Sequence, residues 1–205
     1  MLSFEGLDFD APRPEGFSAE AWEVVKRKPQ ARMVDVTAGN RHIYSDNKLR
    51  NDVIFIDKET NLKIPPDLIC EWRNLPNHFP PDYFYCAIFD PNFYTRTGTP
   101  APKWYQVHHG DPQERDGSWW GQPFITTNEM RRQLLEAQRA IAHITPRLCL
   151  KWTDSQHPVD KILTLFIEWK TTLNIYPMET GSFKRNTTGR TYWVKLVRRG
   201  ASELR

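Results

Sequence analysis

Residues 83–94 read Tyr-Phe-Tyr-Cys-Ala-Ile-Phe-Asp-Pro-Asn-Phe-Tyr. Up to Phe89 apolar and aromatic side chains follow one another without the alternation of a half-exposed strand. A run of this kind suits a central strand of a parallel sheet, covered on both faces. It stops at Asp90-Pro91, where a polar group and a residue that cannot continue the ladder arrive together. Similar short apolar runs flank it at MVDVTAGNR (33–41), DVIFID (52–57), PDLICEW (66–72) and RLCLKW (147–152). Helical patterns separate some of them. Ser18 caps one helix, with Glu20 and Glu23 in its first turns. A long helix opens at Thr126 or Thr127 and carries Met130, Leu134, Ala137, Ile141 and Ile144 on one face until Pro146 ends it. A short helix is expected from Val159 to Phe166. Residues 170–176 and 190–197 alternate like two antiparallel strands. Strands interleaved with helices predict an α/β fold: a single Rossmann-like domain with a mostly parallel seven-stranded sheet and an antiparallel C-terminal hairpin.

The 205-residue length fits one domain. Residues 1–17 read as a leader, 18–199 as the domain and 200–205 as a tail. The leader is acidic and proline-containing rather than basic and then apolar, and no apolar run approaches the roughly eighteen residues that would span a bilayer. The expectation is an intracellular, cytoplasmic protein without a membrane partner. Cys70, Cys86 and Cys149 each lie in an apolar run and none belongs to a Cys-x-x-Cys pair, so buried thiols are expected and a zinc knuckle is not.

Ligands of open α/β sheets sit at the carboxyl ends of the strands, so the residues closing each run are the candidates for chemistry. The first run closes on Asp35, Val36, Thr37, Ala38, Gly39, Asn40 and Arg41, a turn of small residues that lets a ligand approach the backbone. Asp35 there can receive a charged amine, directly or through water. Asp57, eighteen residues after Gly39, can accept two ribose hydroxyls. Glu71-Trp72 offers an acceptor for an adenine amino group and a face for its ring. Three acids at consecutive strand ends point to an adenosine-containing ligand. The lone glycine and the missing Gly-x-Gly-x-x-Gly argue against a dinucleotide.

At the fourth run the arrangement resembles the class I S-adenosylmethionine-dependent methyltransferases. Their amino-methylating branch ends this strand in Asp/Asn-Pro-Pro-aromatic, against Asp90, Pro91, Asn92 and Phe93 here. The segments VDVTAGNR, PDLICEWRNLP, CAIFDP, ITPRLCLKW and GRTYWV resemble the successive landmarks of compact phage and mobile-element members, over about residues 33–197. Asn92 stands where a second Pro is usual, Glu71 where Asp is usual and Tyr192 where His is usual. The resemblance implies that Asp90 and the Pro91 carbonyl accept hydrogen bonds from a target amine while Phe93 or Tyr94 stacks on the extruded base. It implies S-adenosylmethionine as cofactor and a nucleic-acid base as acceptor, with DNA favoured over RNA, protein or a small molecule. A methyltransferase fold kept as a non-catalytic binding or scaffold subunit is the alternative that Asn92 and the sparse glycine leave open. Lys151-Trp152, closing the fifth run, is expected to support the site from below.

Two further features bear on the acceptor. The stretch 95–124, rich in Gly, Pro, Trp and His, reads as an inserted lid or recognition loop, with Trp104 a candidate for stacking a planar target. Its His108-His109 and Asp111 do not form a metal pattern, because adjacent histidines point apart. Net charge is only +3, yet between Thr180 and Ser202 there are six cations and no acid. Lys184, Arg185 and Arg190 in that stretch are candidates for phosphate contact, with Lys26, Arg27, Lys28 and Arg32 a second basic cluster; solvated surface charge is the alternative reading of both.

Overall fold

A computed structural model describes residues 11–39, 42–44, 50–91, 118–119, 122–123, 126–153, 157–177 and 191–201. Ser18 caps helix α1 (Ala19–Arg27), its hydroxyl accepting the Ala21 N–H at 3.1 Å. Strands β1 (Met33–Asp35), β2 (Val53–Asp57), β3 (Leu68–Ile69) and β4 (Cys86–Phe89) follow, with 3-10 turns at His42–Tyr44 and Trp72–Asn77. A two-stranded antiparallel ribbon, β5 (Ser118–Trp119) with β6 (Gln122–Pro123), lies inside the stretch expected to be a loop without regular structure. Thr126 then caps α2 (Thr127–Ile144) by accepting the Glu129 N–H at 3.1 Å. The chain continues through β7 (Arg147–Thr153), α3 (Val159–Leu163), β8 (Trp169–Pro177) and β9 (Thr191–Arg198).

The main sheet is seven-stranded, in the order β3-β2-β1-β4-β7-β9-β8. The pairs β3/β2, β2/β1, β1/β4 and β4/β7 are parallel, while β9 runs antiparallel to both β7 and β8. The architecture is therefore α/β with a mixed, mostly parallel sheet, as the alternation of runs predicts. Chain order reverses direction across the sheet between β1 and β4, which opens the crevice where such sheets place ligands.

Among the described residues, α1, α2 and α3 bury their apolar faces in one cluster. Trp22, Val24 and Val25 of α1, Met130, Leu134 and Ile141 of α2 and Ile162 of α3 meet Val34, Ile54, Ile56, Phe89, Leu148, Leu150 and Trp152 of the sheet. The second face carries a small cluster of Ala38, Val53 and Phe55, with Met33 and Tyr44 against it. Phe17 is buried and packs edge-on to Tyr83 at 4.8 Å, and the Ser18 N–H donates to the His78 carbonyl at 3.1 Å, so the chain joins the core before the first helix begins. Residues 1–10 of the leader lie outside the described residues. Among the described residues, no helix is long and apolar enough to cross a membrane.

Some boundaries differ from the expected ones. The third run keeps only two strand residues: Pro66 has no N–H to give a ladder, and the chain enters a 3-10 turn at Trp72. The fourth run is a strand only from Cys86. Before it, the Phe84 and Tyr85 N–H groups donate to the Ile144 and Arg32 carbonyls, and Tyr83 and Phe84 turn into an aromatic cluster with Phe17 and Phe79. All three cysteines are free: Cys70 is buried, Cys86 and Cys149 half-buried, and burial pushes the Cys86 thiol up to about 12.

Candidate functional site

The carboxyl ends of β1, β2, β4 and β7 converge at the crevice, and backbone hydrogen bonds show how β1 divides there. The Val36 N–H donates to Ile88 of β4 at 3.1 Å, whereas the Ala38 N–H donates to Ile56 of β2 at 3.0 Å. On a regular strand those two groups, two residues apart, would face the same neighbour. The chain turns over at Thr37, and the turn is held by the acids beneath it.

Asp35 is 1% exposed. One carboxylate oxygen accepts the Thr37 N–H at 3.0 Å and the other the Tyr44 hydroxyl at 2.9 Å. Burial pushes its carboxyl up to about 7 despite those two donors, and the charges of Asp90 and Asp57 add to the rise. With both oxygens engaged inside the protein, Asp35 braces the turn. Gly39 follows at φ +47°, in the left-handed region that favours glycine. Among the described residues, a Cβ built there would meet only the Thr37 carbonyl, at 4.0 Å.

Asp57 is fixed as an acceptor. Its Oδ2 receives the Gly39 N–H at 2.8 Å and its Oδ1 the Glu59 N–H at 3.0 Å. A carboxylate has about four lone-pair sites, so each oxygen keeps capacity for a ligand hydroxyl. The eighteen-residue spacing from Gly39 to Asp57 is thus a direct contact between two adjacent strand ends.

Asp90 faces the crevice from β4. Its N–H donates to the Thr37 hydroxyl at 2.7 Å, tying β4 to the β1 turn. Its Oδ2 receives the Lys151 ammonium from β7 in an ion pair that is about one-fifth exposed on both sides. Burial raises the Asp90 carboxyl above the usual range, and Lys151 pulls it back. Lys151 thus lies in the site itself rather than beneath it, while Trp152 faces the core and donates its indole N–H to the His157 carbonyl at 2.8 Å. Pro91 is buried.

Glu71 and Trp72 stand at the neighbouring strand end. Glu71 pairs with Arg73 at 2.7 Å and is 40% exposed. Trp72 packs edge-on against Phe89 at 5.6 Å and is half-buried on the core. Asn40, Arg41, Asn92, Phe93, Tyr94, Trp104, Lys184, Arg185 and Arg190 lie outside the described residues, as do His108, His109 and Asp111. Among the described residues, no group of three His, Cys, Asp or Glu side chains could hold a metal ion.

Sequence reasoning missed two parts of the site. Tyr44 is one, because nothing in a three-residue 3-10 turn points it at Asp35. The other is the contact of Thr37 with Asp90, fifty-three residues apart in the chain.

Several cations of the two basic stretches are engaged within the fold. Arg198 donates to the Ala142 carbonyl at 2.6 Å and pairs with Asp82 at 2.8 Å. Lys28 pairs with Asp67 at 2.6 Å, and Lys26 pairs with Glu23.

No family model matches the chain, and no curated protein matches it. Among solved structures, one described as "Crystal Structure of PH0851" is similar at a TM-score of 0.45 and 15% identity, over 88% of this chain and 46% of that one. The chain spans less than half the length of that structure, and a likeness at this level adds nothing to the α/β architecture read from the sheet itself.

Proposed function

We propose that the chain is an S-adenosylmethionine-dependent methyltransferase acting on an exocyclic amine of a nucleic-acid base, with DNA the favoured polymer. The observation that carries the reading is the meeting of Asp35, Gly39, Asp57 and Asp90 at the β1/β4 crevice: the Gly39 N–H donates to Asp57, and Thr37 links the other two, its N–H donating to Asp35 and its hydroxyl accepting the Asp90 N–H. This set fits the cofactor chemically. Lys151 offsets Asp90, so among the described residues the negative character of the crevice rests on Asp57 and, once ionised, Asp35, which suits a cationic ligand. Asp57 has spare acceptor sites for a ribose edge.

When bound, S-adenosylmethionine supplies a methyl group already activated by a positively charged sulfur. The protein's task is then to hold the acceptor in line, close and shielded from water. An amine on an aromatic ring has its lone pair delocalised into that ring. Asp90, accepting one of its hydrogens, localises the pair on nitrogen. Lys151 occupies one Asp90 oxygen and leaves the other for the amine. The Pro91 carbonyl and the aromatic Phe93 complete the acceptor side by resemblance. The residues directly after β4, Asp90-Pro91-Asn92-Phe93-Tyr94, include no cysteine, which disfavours a covalent carbon-methylating route.

A ligand that binds only the folded protein raises its melting temperature by mass action. S-Adenosylmethionine should do so here, and Asp57→Ala should remove most of the ligand-induced shift, measured against the variant's own unliganded melting temperature. A wild-type protein whose melting responds neither to the cofactor nor to its demethylated product would sink this reading and favour a scaffold role.

A further inference from the structure

We propose that the face of the sheet over β7, β9 and β8 that carries no helix among the described residues is a track on which a single DNA strand lies as it reaches the crevice at Asp90; the inference rests on the nucleic-acid reading above. The three strands contain Arg147, Lys151, Lys170, Lys195 and Arg198 and not one Asp or Glu. Side chains alternate across a sheet, and the register divides these cations. Leu148, Leu150, Val194, Leu196 and Trp169 face the helices. Arg198 shares their parity and reaches the α2 carbonyl of Ala142. Arg147, Lys151, Lys195 and Lys170 take the opposite parity and share the other face.

On that face the pairs Lys170↔Val197↔Arg147, Lys195↔Cys149 and Trp193↔Lys151 form successive rows. Lys170 and Lys195 are exposed. Four strand residues separate Arg147 from Lys151, about 13 Å along β7, and the last row adjoins the Asp90 ion pair.

Aromatic groups mark both ends of the track. The half-buried Trp193 lies beside Lys151, and at the far end the Arg147 guanidinium sits over the Tyr85 ring at 4.2 Å, with Tyr85 51% exposed. Cations interleaved with flat rings on an open sheet suit an unpaired strand: phosphates meet the ammonium groups and bases stack on the rings. A duplex offers its bases only at their edges, so the stacking groups favour the single strand.

The test is fluorescence anisotropy of a labelled single-stranded DNA oligonucleotide across a salt series, with cofactor-induced melting shifts measured in parallel. Single-strand binding loses about 0.7 in the slope of log affinity against log salt for each phosphate contact removed. Reversing Lys170 and Lys195 together (K170E/K195E) should therefore flatten the slope by about 1.4, while reversing Lys26 and Arg27 on α1 should change it little. Trp193→Leu should weaken binding about tenfold and Trp193→Phe should restore most of it.

Wild-type affinity and slope surviving K170E/K195E would overturn the track, as would tighter binding of the matching RNA strand. Loss of the track with cofactor shifts intact leaves the methyltransferase reading standing. Track-dependent DNA binding without any cofactor shift leaves the track standing and removes methyl transfer.

Discussion

Asp35 has its carboxyl held at about 7 inside the protein, chiefly by burial, against an ordinary value of 3.8. The native state therefore keeps a proton that the unfolded chain has lost. Stability falls as pH rises from about 4 to about 7, and above the folded value the full penalty applies. The shift corresponds to about 4 kcal/mol. Asp35→Asn keeps an acceptor for the Thr37 N–H and a partner for the Tyr44 hydroxyl while removing the charge. Relative to wild type, the variant should gain melting temperature between pH 5 and pH 8; an equal effect at both values would mean that Asp35 titrates normally. A cationic ligand in the crevice would stabilise the charged form, so the same variant should bind S-adenosylmethionine more weakly at pH 8. At this scale the sequence was partly legible. Asp57 and Gly39 were readable because parallel strands bring consecutive strand ends side by side. The engagement of Asp35 was not, since a sequence shows an acid at a strand end but not whether water reaches it.

Lys28 illustrates the same limit at the level of elements. In the sequence it belongs to a basic cluster closing the first helix. In the fold its ammonium donates to the Arg50 and Val53 carbonyls at 3.1 and 3.0 Å and to Asp67 at 2.6 Å. Asp67 in turn accepts the Phe55 N–H at 2.8 Å, and the ammonium lies over the Phe55 ring at 4.7 Å. One lysine thus clasps α1 to β2 and to the start of β3, a two-residue edge strand with little ladder of its own. Lys28→Met would leave Asp67 mostly buried without its cation, a loss of about 3 kcal/mol, whereas Lys26→Met should cost almost nothing because that pair is more exposed. Chemical denaturation distinguishes them; equal stability of the two variants would contradict the clasp. Helices and long strands were legible from their caps and periods, as Thr126 and the Met130–Ile144 stripe show. The ends of short strands were not, because aromatic runs such as 83–89 serve a strand or a packed turn equally well.

For the molecule as a whole, the order β3-β2-β1-β4-β7-β9-β8 decides where chemistry can occur. It places the reversal of chain direction between β1 and β4, and residues scattered from 35 to 151 meet there. Alternating runs and helices make the fold class legible; the one-sided distribution of helices is not, since their apolar stripes do not say which face of a sheet they cover. Among the described residues, that asymmetry leaves no helix over the β7–β9–β8 face beside Asp90. The central claim is that Asp90 receives the target amine. It is tested most directly by single-turnover transfer of a labelled methyl group from S-adenosylmethionine to DNA, with cofactor affinity measured alongside. The Asp90 N–H bond to Thr37 belongs to the backbone and remains available in Asp90→Ala. That variant should lose transfer by about a hundredfold or more while cofactor affinity changes little. Turnover near wild type in Asp90→Ala, or loss of cofactor binding along with transfer, would contradict the account.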